Sequence, residues 1–185
     1  MNSAADVRER ILAAAVRCVE SVGAQQASTS LIARTAGVSR PTLYAYFANR
    51  EELVDMAANQ AILRVVGRMQ EHCRTYESAA DRAVEALMYA LHDLRHLPAM
   101  AAHFGIPVTL GPLTREELWF ARQALEPAAE KWPPLRATID DAAEIYVRLL
   151  ISMLIRDPMH ARSREEDRAY LERWWPRALS IDAPA

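Results

Sequence analysis

Residues 28–47, STSLIARTAGVSRPTLYAYF, decide the reading of this chain. Ser28 is placed to cap a first helix through its hydroxyl, with Ile32 and Ala33 on the inward face. Gly37 ends that helix, because a turn at φ > 0 favours a residue without Cβ. Val38 plugs the corner, Ser39 caps a second helix, and Pro41 is tolerated in its first turn, where no intrahelical N–H bond is lost. Leu43 and Phe47 are four apart and face the core, which turns Arg40, Thr42, Tyr44, Ala45 and Tyr46 towards other directions. Two short helices at this spacing, the second basic and aromatic, form the pattern of a helix-turn-helix unit whose second helix enters a major groove. Phosphate contacts are expected from Tyr46 and Arg50 and from the Ser28 and Thr29 end of the first helix. Arg40, Thr42 and Tyr44 are expected at base edges, beside Ser39 and Pro41 at the start of the same helix.

The distribution of charge agrees. No Asp or Glu occurs from Ser21 to Arg50, although the 185 residues include 24 acids, so roughly four would fall in such a stretch at random. Residues 1–50 carry six Arg against Asp6, Glu9 and Glu20, a net of +3. The remaining 16 basic and 21 acidic residues sum to −5, and the two parts give the whole-chain −2. An N-terminal segment suited to phosphate is thus joined to a body that is not.

Composition excludes several classes. No N-terminal stretch has the apolar core of a signal peptide, and no apolar run approaches the ~20 residues of a bilayer span. A soluble, cytoplasmic protein without membrane association is expected. Cys18 and Cys73 fit neither a disulfide framework nor a CxxC metal site and read as small buried hydrophobes. There is no GxSxG elbow, no phosphate-binding glycine loop and no HExxH, so an enzyme is not expected. Neither a metal nor a cofactor is called for.

A pass along the chain predicts helices and no strand. The first spans about 4–22, with Asp6-x-x-Glu9 as a capping box. A long helix after Asn49 reaches about 78, carrying Leu53, Ala57, Ala61, Val65, Met69, Cys73 and Tyr76. Others are predicted over 79–96, briefly over 100–104, from Thr114-x-x-Glu117 to just before Trp132-Pro133-Pro134, over 135–157, and from Ser163-x-x-Glu166 onward, with Pro176 bending or ending the last. Between Ile145 and Ile155 only Arg148 and Ser152 are polar, so that helix needs cover on more than one side. Leu150 there, with Leu171, Trp174 and Trp175 of the last helix, forms the expected dimer interface. A monomer would expose a large apolar patch that a four-helix bundle of two subunits buries.

The stretch RERILAAAVRCVESVGAQQASTSLIARTAGVSRPTLYAYFANREEL, within residues 7–60, resembles the N-terminal domain of the TetR family of transcriptional repressors. The resemblance rests on Ile11, Leu12, Ala14, Ala15, Gly23, Ile32-Ala33, Ala36-Gly37-Val38-Ser39, Thr42-Leu43-Tyr44 and Tyr46-Phe47, followed by Glu51 and Leu53. Val19, Ala24, Leu31 and Arg50 depart from the family's usual residues. The resemblance implies an all-α protein with a three-helix DNA-binding domain, drawn here over 1–50, and a helical effector-binding and dimerisation domain over 51–185. It also implies a homodimer on a double-stranded operator and a ligand pocket among the C-terminal helices. Candidates for that pocket are His92, His103, Phe104, Trp119, Arg122 and Tyr146, whose mixture of apolar walls and few polar groups fits a small apolar or aromatic effector. His92 and His96 have the i, i+4 spacing of a metal pair but lack a third ligand at a matching offset. The competing reading is a DNA-bound adaptor that recruits a partner protein without any small ligand.

Overall fold

The computed structural model describes residues 4–94, 98, 113–154 and 162–181. Among them are nine α-helices and no strand: α1 (Ala4–Val22), α2 (Thr29–Ala36), α3 (Arg40–Tyr46), α4 (Arg50–Arg74), α5 (Ala79–His92), α6 (Arg115–Lys131), α7 (Pro134–Ala137), α8 (Ile139–Leu154) and α9 (Arg164–Ala178). The chain divides into two compact units, residues 1–65 with 96–105, and residues 66–95 with 106–185. The division falls inside α4.

In the first unit Ile11, Ala14, Ala15 and Val19 of α1 meet Ile32 of α2, Leu43 and Phe47 around α3, and Leu53 and Ala57 of α4, all essentially inaccessible. Paired alanines on α1 let the helices approach closely, while the larger side chains fill the seams. α1 begins at Ala4, so Asp6 lies inside its first turn instead of capping it.

The second unit is built around α5. Residues on all sides of α5 are buried, and it packs against α6, α8 and α9. Two aromatic donors are fixed to its backbone: Tyr146 Oη donates to Ala86 O at 3.0 Å and Trp175 Nε1 to Ala83 O at 2.9 Å. Burial pushes the Tyr146 phenol far above its ordinary pKa, so it remains a neutral donor. Arg82 of α5 donates to Tyr76 O, Arg74 O and Pro127 O at 2.8, 3.1 and 3.0 Å, tying the end of α4 and the middle of α6 to one guanidinium. Pro127 lies inside α6 and has no N–H for the carbonyl of Gln123. Gln70 Nε2 donates to that carbonyl at 2.9 Å, so the acceptor is not left bare.

Several boundaries depart from the sequence expectations. α4 stops at Arg74, four residues early, because Thr75 and Tyr76 close onto His72 O and Cys73 O in tight turns and Ser78 serves as the N-cap of α5. The helix expected from 135 is two: Thr138 N–H bonds to Leu135 O, ending α7, and α8 starts at Ile139. α9 continues through Pro176, whose missing N–H falls in the last turn, and Leu179 N–H closes on Trp175 O and Pro176 O. The capping boxes at Thr114 and Ser163 both form. α5 ends at His92 with Asp93 as its C-cap, four residues short of the expected 96, while the helix expected at 100–104 and the end expected at 157 lie outside the described residues.

Candidate functional site

The helix-turn-helix is fixed by its own caps. Ser28 Oγ accepts from Leu31 N at 3.2 Å, opening α2. Gly37 adopts φ 66°, and its N–H bonds Arg34 O while that of Val38 bonds Ala33 O, a Schellman closure. A Cβ at Gly37 would touch nothing within 4 Å, so the demand for glycine there is torsional and not steric. Ser39 Oγ then accepts from Thr42 N at 3.1 Å and lies 2.7 Å from Thr42 Oγ1, so both hydroxyls are engaged in opening α3. Leu43 and Phe47 anchor α3 in the core, and Val38 and Tyr46 are half-buried against it. Arg40, Pro41, Tyr44 and Ala45 are left exposed.

Two expected phosphate contacts are placed differently. Thr29 is only 7% exposed, because Ser28 takes the outer position at the helix start. Thr29 instead supports Tyr44: hydrogen bonds from Thr29 first and Arg40 second draw the exposed Tyr44 phenol below its ordinary pKa. Arg50 is half-buried and turned inward, donating through Nε to Ala27 O at 3.2 Å and through Nη2 to Ala24 O and Gln25 O at 2.8 and 3.0 Å. Its fork meets backbone carbonyls of the α1–α2 loop. A second cation was not foreseen at all: Arg8 of α1 lies over the Phe47 ring, 4.9 Å from its centroid.

Of the described candidate effector residues, Tyr146, His92 and Arg122 already have partners within the chain. Tyr146 is core, bonded to α5. Arg122 pairs with Asp140 at 2.5 Å on an open surface, and His92 pairs with Asp167 of α9 at 3.0 Å. Trp119 is exposed near the start of α6, while His103 and Phe104 lie outside the described residues. The structure gathers a different set. The Glu85 carboxylate, 1% exposed, meets His72 Nε2 at 3.1 Å and the Arg168 guanidinium, and the His72 ring lies 5.6 and 5.2 Å from those of Tyr76 and Tyr89. Glu85 and Tyr89 are four apart on α5, yet the arginine that pairs with Glu85 comes from α9, far along the chain.

Three of the four candidate interface residues are covered within one chain: Leu150, Leu171 and Trp175 are buried. Their apolar faces already meet the chain's own core. What stays open is Trp174 at 55% and Ile145 at 40%, with Leu149 and Met153 half-buried in line with Ile145 on α8. Both cysteines are buried. Burial, and then the charge of Glu85, pushes the Cys73 thiol up to about 12, so it stays protonated and inert. Among the described residues no helix is long and apolar enough to cross a membrane.

Residues 11–57 match the family described as bacterial regulatory proteins, tetR family. An uncharacterised HTH-type transcriptional regulator of Mycobacterium tuberculosis (strain CDC 1551 / Oshkosh) is 27% identical over 165 residues, covering 88% of this chain and 80% of the relative. The fatty acid metabolism regulator protein of Bacillus subtilis (strain 168) is 30% identical over 83 residues, covering 45% of this chain and 42% of that protein. Among solved structures, the transcriptional regulator FadR from Bacillus subtilis in complex with stearoyl-CoA aligns over 95% of this chain and 99% of its own, with 15% identity and a TM-score of 0.48. The capped helix-turn-helix lies within the matched residues, and residues 11–57 form an N-terminal domain of the TetR family of bacterial regulatory proteins.

Proposed function

We propose that the protein is a homodimeric repressor that binds a two-fold operator through α3 and leaves it when a small apolar or aromatic effector binds the second unit. The observation that carries the reading is the exposed face of α3. Arg40, Pro41 and Tyr44 stand outward on a helix held at both ends, inside thirty residues without a carboxylate. A rigid frame with a basic, aromatic outer face suits direct readout in a major groove. The dimer rests on Ile145, Leu149 and Met153 of α8 and Trp174 of α9, an apolar surface that a second copy would cover. Release follows by linkage: an effector that prefers a conformer with mismatched reading heads lowers operator affinity by its own differential affinity.

The adaptor reading keeps one observation in its favour. Tyr146, His92 and Arg122 already have partners inside the chain, so they offer little unspent polarity to a ligand. The test is a duplex selected from a random library by the wild-type protein, followed by a small-molecule screen for release. Thr42→Ala and Tyr44→Ala should change the sequence selected, and at least one apolar or aromatic compound should free the DNA. Unchanged selection in both variants would contradict the α3 assignment. Intact selection with no releasing compound would favour the adaptor.

A further inference from the structure

The loop between α1 and α2 needs partners for a run of backbone carbonyls, and its side chains supply none. Gly23, with φ 81°, turns the chain out of α1, and residues 24–27 read Ala-Gln-Gln-Ala before the Ser28 cap. Gly23 O accepts from Ala27 N at 3.1 Å and Gln26 O from Ser28 N at 2.8 Å. The carbonyls of Ala24, Gln25 and Ala27 all accept from Arg50. Every carbonyl from 23 to 27 is therefore satisfied, three of them by one side chain at the start of α4. That start is itself held: Asn49 Oδ1 accepts from Glu52 N at 2.8 Å, and Glu52 Oε2 accepts from Ala48 N at 2.9 Å.

We propose that Arg50 is a positioning residue for DNA recognition, a clasp that fixes the α1–α2 loop and with it the Ser28-capped N-terminus of α2. The clasp needs a planar fork, because three carbonyls at different angles are met by Nε and Nη2 together. A lysine ammonium keeps the charge and loses that geometry. This separates the clasp from a phosphate contact, where charge suffices and each contact adds about one unit to the salt slope. The proposal rests on the reading of α3 as the DNA-binding helix.

The experiment compares Arg50→Lys, Arg50→Ala and Arg40→Ala on the library-selected duplex across a salt series, with amide hydrogen exchange on the free proteins. Both Arg50 variants should lose affinity on the order of tenfold, the scale of one hydrogen bond to a charged group, with the salt slope unchanged. Arg40→Ala should weaken binding to this duplex and, unlike the Arg50 variants, relax the base preference, as loss of a base-edge contact does. Exchange at Ala27 to Leu31 should quicken in both Arg50 variants and stay as wild type in Arg40→Ala. Loss of the N-terminal fold in Arg50→Lys would also support the clasp, since a phosphate contact has no role in folding without DNA. Wild-type affinity in Arg50→Lys, with a slope reduced by about one in Arg50→Ala, would overturn it in favour of a phosphate contact. If wild type selects no duplex, the DNA reading fails, and exchange still decides the clasp: unchanged rates at Ala27 to Leu31 in Arg50→Lys would overturn it.

Discussion

α3 and α5 handle polar side chains in opposite ways. On α3 the frame is built from caps and two apolar anchors, and the polar groups with reach, Arg40 and Tyr44, stand outward. On α5 the polar groups are consumed inside: Arg82 on three carbonyls, Glu85 between His72 and Arg168, His92 on Asp167. Unspent polarity on a rigid frame is what an external partner can use, whereas a buried ion whose partners are all internal specifies packing. Residue type alone does not separate the two cases. Arg40 and Arg50 look equivalent in sequence, yet Arg40 stands exposed while Arg50 is turned inward onto three backbone carbonyls.

The largest effect should come from breaking assembly. Trp174→Glu with Ile145→Glu should convert a dimer to monomers in sedimentation, because both side chains are open on one chain and an unpaired charge would enter an apolar seam. Persistence of the dimer would move the interface elsewhere. Trp175→Ala should destabilise the second unit by about 3–5 kcal/mol in denaturant titration, since a fully buried indole bonded to Ala83 O leaves a cavity and a lost hydrogen bond. A cost under about 1 kcal/mol would mean that Trp175 is not the core residue its burial makes it. Gly37→Ala should cost about 1 kcal/mol in the first unit, from left-handed strain alone.

The smallest effect concerns Cys73. Its thiol is raised from 9.0 to about 12 by burial, so the folded protein should resist alkylation at pH 8 and react once denatured. The sign for stability follows: the protonated thiol is favoured in the fold, so its contribution is complete below pH 9 and is lost as pH rises from 9 towards 12. Ready labelling of native protein at pH 8 would show that the second unit opens around α4 and α5.

Much of the fold was legible because it is local. The Ser28, Ser39, Thr114 and Ser163 caps and Gly37 are written within one or two helical turns, the apolar stripe from Leu53 to Cys73 on α4 recurs from one turn to the next, and all are realised. What stayed hidden is long-range. Gln70 meets the carbonyl that Pro127 abandons 53 residues away, and Arg50 reaches carbonyls 23 to 26 residues back. Backbone acceptors carry no residue signature, so neither partnership leaves a pattern to read. Leu171 and Trp175 resemble interface residues by spacing, and only the placement of α5 shows that they are core.

The central claim is that two α3 faces read one operator together, and a hydroxyl-radical footprint of the wild-type protein on its selected duplex tests it most directly. The account predicts two protected patches related by two-fold symmetry and centred about one helical turn apart, ~34–36 Å. A single unpaired patch, or protection that survives loss of both Arg40 and Tyr44, would contradict it.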